Sequence, residues 1–196
     1  MRIYLDNNAT TAIHPDVLGV LETALRDVYG NASSVHSEGQ TARRAIEDAR
    51  ESIARFIGAT SRELIFTSGG TESNNAAIFG ALSHRERSHI VTTAIEHPSV
   101  AEAVNELERR GHEVTRVAPG DDGTVRAHDV VMALREHTRL VAVMAVNNET
   151  GVIQPVEAIG AAARARGIHF HCDAVQAGGK LPIDVTAMQC DTLSLS

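Results

Sequence analysis

From residue 64 onward, short apolar runs alternate with helical stretches at nearly even spacing, and this alternation restricts the fold more than any other feature of the chain. The runs cover 64–66, 90–92, 114–117, 140–146, 168–172 and 192–195, and residues 73–82, 98–110, 130–135 and 156–165 read as helices between them. Gly111 closes the second of these helices and Gly167 the last. Strands joined through helices run mostly parallel, because each crossover returns the chain in the same direction and leaves helices on both faces. The expected fold is α/β, a mostly parallel sheet covered by helices, with no internal repeat and no low-complexity linker.

Ahead of the alternation the pattern is helical. Pro15 stands at a first helical position, and Val17, Leu18, Leu21 and Leu25 share one face until Gly30. Ser37 with Gln40 suggests a capping box for a second helix ending near Gly58, with Ala42, Ala45, Ile46, Ala49 and Ile53 as its buried stripe. Residues 1–14 read as an N-terminal arm and 15–196 as part of one large domain.

Composition removes several classes of function. The 196 residues carry 18 Lys and Arg against 25 Asp and Glu, a net charge of −7, with no basic run longer than a pair, which argues against nucleic acid as a partner. No apolar run approaches the roughly 18 residues that a membrane span needs, and the N-terminus turns polar too early for a signal peptide, so no membrane association is expected. Two cysteines, Cys172 and Cys190, lack CxxC spacing and fit a reducing cytoplasm.

In such sheets ligands sit outside the carboxyl ends of the strands. Polar clusters follow five of the runs: 68–73, 95–98, 147–151, Asp173 with Gln176, and 194–196. The first is a glycine turn opening a helix, so the free amides and the hydroxyls of Thr71 and Ser73 suit a phosphate, although a plain capped turn has the same residues. It is neither a nucleotide-hydrolase loop nor GxGxxG. Asp173 follows an apolar strand, where a carboxylate needs a cationic partner such as a protonated pyridine nitrogen, or else caps a helix. Gln176 is placed to meet a ring hydroxyl, or else is simply solvated. His97 precedes a helix-starting proline and offers a flat, titratable ring. Asn147 and Asn148 offer amides at a strand end. His169 and His171 lie on one strand face and with Asp173 form an alternative metal set, without an identifiable further ligand.

Taken in order, the stretches 4–11 (YLDNNATT), 30–36 (GNASSVH), 66–74 (FTSGGTESN), 96–98 (EHP), 147–151 (NNETG), 173–176 (DAVQ) and 193–196 (LSLS) resemble the cysteine desulfurases of iron–sulfur cluster assembly across essentially the whole chain. The resemblance implies the large domain of a fold-type I pyridoxal phosphate (PLP) enzyme, class V aminotransferase-like. Such an enzyme removes sulfur from L-cysteine, leaving alanine and an enzyme persulfide that is passed to an acceptor or scaffold protein. It further implies that Gly70, Thr71 and Ser196 hold the phosphate and that His97 stacks on the ring and moves protons. Asn148 and Gln176 would meet the ring hydroxyl, Asp173 would pair with the ring nitrogen, and the protein would be a homodimer.

The chain departs from the family at Ala32, Thr150 and Cys172, where proline, an aliphatic residue, and Thr or Val are usual. The family's cofactor-bearing lysine, persulfide cysteine, substrate-carboxylate arginine and small C-terminal domain would all follow Ser196. Lys180 is the only lysine and lies too close to Asp173 in sequence to serve as the anchor. The 196-residue chain is therefore expected to be the amino-terminal part of such an enzyme and inactive by itself. A selenocysteine lyase or other class V enzyme, and a non-catalytic binding remnant, are the alternatives.

Overall fold

The structure, a computed structural model, describes residues 3–8, 10–82 and 87–196. Met1, Arg2 and Ala9, which belong to the expected arm, lie outside them. The chain divides into two compact units, Met1–Leu64 and Ile65–Ser196.

The first unit holds helices α1 (Pro15–Asp27) and α2 (Ser37–Ile57). Pro15 begins α1, where its missing N–H costs nothing, and His14 Nδ1 accepts from the Asp16 amide at 3.3 Å. The expected capping box at Ser37 and Gln40 does not form. The cap is His36, whose Nδ1 accepts from the Gly39 amide at 3.4 Å, while the Gln40 side chain reaches back to the Val35 carbonyl at 2.8 Å. Gly58 ends α2 at φ 71°, a left-handed conformation that glycine adopts without strain. Of the expected stripe only Ala42 is buried; Ile53 is half-buried, and Ala45, Ile46 and Ala49 are exposed. Periodicity identifies which residues share a face but supplies no surface to cover it.

The second unit is the α/β layer. Its elements in order are α3 (Gly70–Leu82), β1 (His89–Thr93), α4 (Pro98–Arg109), β2 (Glu113–Val117), α5 (Ala127–Ala133), β3 (Thr138–Met144), α6 (Val156–Ala165), β4 (His169–Asp173), α7 (Val185–Met188) and β5 (Thr192–Ser194). The sheet runs β2-β1-β3-β4-β5, and every ladder is parallel, with Val91 beside Val141 and Val141 beside Phe170. Chain order moves outward from β1 to β2 and then returns to β3, so the strand order reverses between β1 and β3. That switch opens a crevice at the carboxyl ends of these strands.

All five residues of β1 are buried, as are six of the seven in β3, and β3 accordingly reads as a near-continuous apolar run over 140–144. Ile78 and Leu82 of α3 and Val100, Val104 and Leu107 of α4 pack with Ile90 and Leu140 into one core, each side chain contributing roughly 1.5–3 kcal/mol by leaving water. Helices α3 and α4 are thereby fixed over the strands whose ends form the crevice.

Two further expectations need correction, and one short helix went unread. Residues 64–66 belong to none of the described strands, and Ile65 is 83% and Phe66 47% exposed. An apolar run becomes a strand only within a ladder, and this stretch joins none of the described ladders. The expected helix over 130–135 begins earlier and ends earlier, because Leu134 is extended at φ −70° and ψ 133°. The four-residue α7 had no periodicity to announce it; Asp184 makes its start by accepting from the Thr186 and Ala187 amides at 2.8 and 3.2 Å.

Candidate functional site

Three loops and one helix start converge at the crevice. After β1, residues 94–97 lead to His97, which caps α4: its Nδ1 accepts from the Ser99 amide at 3.1 Å and faces the Ser99 hydroxyl at 2.7 Å. Because Nδ1 accepts in the neutral ring, the proton sits on Nε2. After β3, Asn147 folds the turn by accepting from the amides of Glu149 and Thr150 at 3.0 and 2.9 Å, and Gly151 at φ 72° completes it. Asn148 is left at the rim. Strand β4 ends at Asp173. The start of α3 leaves the amides of Gly70, Thr71 and Glu72 without helical acceptors, an arrangement that suits an anion.

Beneath the crevice a buried side-chain network joins these parts. The Asn74 amide nitrogen donates to Asp173 Oδ2 at 2.7 Å and to Ser99 Oγ at 2.9 Å. The Asn74 oxygen therefore accepts from His171 Nε2 at 3.0 Å, and His171 Nδ1 in turn accepts from the Thr192 hydroxyl at 3.0 Å. His169 Nε2 also lies 3.0 Å from Thr192 Oγ1. Burial, aided by the charge of His169, pulls the His171 pKa down to about 4, so the ring is neutral and keeps this tautomer. The network runs from Asp173 through Asn74 to Ser99 and His97, with His171 bracing it from below.

A cleft of about 220 Å³ opens above this network, and Gly70, Thr71, His97, Asn148, Asp173 and Gln176 all line it. Ser196 is exposed and outside the lining, beside Gly70: a Cβ on Gly70 would come within 3.7 Å of the Ser196 Cβ and 2.7 Å of Val175 Cγ2. Glycine at 70 thus lets Val175 close over the helix start. Lys180 Nζ lies 2.8 Å from Gln176 Oε1, which turns the Gln176 amide nitrogen away from the lysine. Cys172 is buried, with its thiol pushed well up by desolvation, and burial raises Cys190 to about 11, so neither is a ready nucleophile. As for the metal alternative, Asn74 occupies the space between His171 and Asp173, and no group of three or more His, Cys, Asp and Glu side chains is placed to hold a metal ion among the described residues.

Asn74, Ser99 and Thr192 were not legible as site residues. Asn74 lies 99 positions from Asp173 and 97 from His171, and only the sheet order brings them together. The available signal was weak: Asn74 follows the helix-opening Gly70-Thr71 pair by one turn.

Asp173 also tests which ligand fits. Its side chain is buried, Oδ2 takes the Asn74 donor, and Oδ1 accepts from the Val175 amide at 3.0 Å. No Lys, Arg or His pairs with it among the described residues. A buried carboxylate met only by neutral donors is costly unless the cleft brings it a cation, and a protonated pyridine supplies one of the right shape. With an anion site at the start of α3 and the His97 imidazole also lining the cleft, the residues present fit PLP.

The profile of the family described as Aminotransferase class-V matches residues 3–196. The cysteine desulfurase of Enterobacter agglomerans is 46% identical over 196 residues, which are 99% of this chain and 49% of that protein. The cysteine desulfurase IscS of Anaeromyxobacter sp. (strain K) is also 46% identical, with the same coverage. Among solved structures, SspA in complex with cysteine superposes with a TM-score of 0.94 at 42% identity, covering 98% of this chain and 56% of that one. The apo cysteine desulfurase of Thermococcus onnurineus NA1 gives 0.91 at 31% identity, covering 99% and 49%. The chain spans about half the length of the curated relatives it matches.

Proposed function

This chain belongs to the aminotransferase class-V family, among the cysteine desulfurases, and from that premise we propose that it carries the cofactor-holding face of a PLP-dependent enzyme that takes sulfur from L-cysteine. Residues 15–196 are read as part of the large cofactor domain and 1–14 as an arm. The family uses PLP, and the observation that carries the proposal for this chain is Asp173, buried in the cleft lining without a cationic side chain beside it among the described residues.

When bound, PLP supplies an electron-withdrawing ring that stabilises negative charge next to the amino nitrogen of an amino acid. The residues of this chain set the conditions for that chemistry. Asp173 would hold the proton on the ring nitrogen, and Asn74 would keep the carboxylate in place for it. The amides of Gly70 and Thr71, the Thr71 hydroxyl and Ser196 would bind the phosphate. Asn148 and Gln176 would donate toward the ring hydroxyl, the latter oriented by Lys180. His97 would stack on the ring and assist proton transfer, with its Nδ1 occupied by Ser99. The proposed whole enzyme is a cytoplasmic homodimer that would carry the sulfur as a persulfide and hand it to an acceptor or iron–sulfur scaffold protein.

Within these 196 residues the single lysine is tied to Gln176, and both thiols are held protonated. The chain is therefore expected to bind PLP reversibly and to form negligible alanine from cysteine. Equilibrium dialysis with PLP, followed by borohydride reduction and intact-mass measurement, checks this. Saturable binding without a pyridoxyl label supports the proposal. No binding, or turnover of cysteine by this chain alone, would overturn it.

A further inference from the structure

Glu96 precedes His97 and takes no part in the mechanism above, yet its carboxyl is deeply placed. Oε1 accepts from the Thr93 hydroxyl at 2.5 Å and from the Met144 amide at 3.1 Å. Oε2 is sealed from solvent and has no hydrogen-bond partner among the described residues. The Met144 contact ties the loop after β1 to the last residue of β3, and Met144 and His97 both line the cleft. Asn147 makes a second tie to the same loop, donating to the Ile95 carbonyl at 3.0 Å.

We propose that Glu96 is a positioning residue whose carboxyl, kept in its protonated form, latches the loop bearing His97 to the end of β3, so that its ionisation loosens one wall of the cleft. A neutral carboxyl accepts from the two donors at Oε1 and places its proton on the sealed Oε2, leaving one O–H without an acceptor among the described residues, a smaller cost than a buried charge. An ionised one would leave a charged oxygen without any donor. The groups that bear on it from β4 make matters worse for the anion: Asp173 is a carboxylate, and Cys172 is a thiol that can only become negative. His97, on the same loop, directs Nδ1 to Ser99. Burial first, and then the charge of Asp173, lift the Glu96 pKa from 4.5 to about 8, against the hydrogen bonds from Thr93 and Met144, which favour the carboxylate. Because the folded-state pKa is raised, the latch's stabilisation is complete below 4.5 and is lost as pH rises through about 8.

The pH dependence is what separates a latch from a residue that merely fills space. PLP binding is titrated for the wild-type protein and for Glu96→Gln, which keeps the oxygen facing Met144 and cannot ionise. The two should bind equally near pH 6.5, whereas one unit above the Glu96 pKa the wild type should be weaker by up to about tenfold relative to the variant. Thermal unfolding without cofactor should diverge over a lower range, the wild type losing stability relative to the variant as pH rises from 4.5 to about 8. This second arm does not depend on the PLP proposal: absence of binding in both proteins would count against that proposal, while diverging stability profiles would still support the latch. Where Glu96→Gln does not fold, the infrared spectrum of the wild type decides. A carboxylic-acid band at neutral pH that disappears on raising pH through about 8 supports the inference. Parallel pH profiles in both arms, or no such band, overturn it.

Discussion

Asn74 does most to organise the site, because one amide serves three partners at once. Its nitrogen holds Asp173 and Ser99, and its oxygen holds His171. Asn74→Ala leaves a buried carboxylate, hydroxyl and imidazole each short of a bond, at a cost of about 2–4 kcal/mol. It should also weaken PLP binding at least about tenfold by freeing Asp173, since 1.4 kcal/mol is tenfold. Asn74→Asp keeps the shape but faces Asp173 with a second carboxylate, so its deficit in denaturant unfolding should exceed that of alanine near neutral pH and shrink on acidification. Equal deficits for the two variants at every pH would show that Asn74 acts by volume alone. The residues facing the cleft were readable because they cluster at strand ends in the sequence. The supports were not, since Asn74, Ser99 and Thr192 are common polar residues whose role comes from the order of strands.

At the scale of elements, α6 sits closer to its neighbours than a side chain allows. A Cβ on Gly160 would lie 2.0 Å from the Met188 carbonyl oxygen of α7 and 3.0 Å from the Phe170 ring of β4. Gly160→Ala must therefore displace backbone and should destabilise by about 1–3 kcal/mol or more. Gly19→Ala in α1 provides the contrast: its Cβ meets nothing within 4 Å among the described residues, and helix propensity favours alanine by roughly 0.5–1 kcal/mol. Opposite shifts in unfolding midpoint are expected, and similar losses for both would refute the packing argument. These elements also show where sequence reading stops. β1, β3, α4 and α6 were visible because burial on both strand faces, or on one helix face, leaves a period in the sequence. Residues 64–66 have the composition of a strand but stand outside the described ladders, and the stripe of α2 is buried only at Ala42 and half-buried at Ile53. In both cases what an apolar residue meets is not encoded locally.

Across the whole molecule, buried titratable groups of opposite type set the response to pH. His89 and His171 are buried, and each has a pKa of about 4; desolvation is the main cause in both, with Arg135 and His137 adding to it at His89. His89 is held between the Thr138 and Thr115 hydroxyls at 2.8 Å each, and His171 between Thr192 and Asn74. Their folded-state pKa values are depressed, so the unfolded chain takes up protons first as pH falls below 6.5, and stability is lost down to about 4. For His171 alone the fall from 6.5 to about 4 corresponds to about 3 kcal/mol. Glu96 acts in the other direction, removing stability as pH rises from 4.5 to about 8. Between 4.5 and 6.5 two histidines outweigh one glutamate, and above 6.5 the glutamate acts alone. The cofactor-free chain should therefore be most stable near pH 6.5, and Glu96→Gln should hold its stability on the alkaline side of that point. Denaturant midpoints measured across this range decide the matter: a wild-type curve still rising toward pH 8 would mean that Glu96 is already ionised in the folded protein.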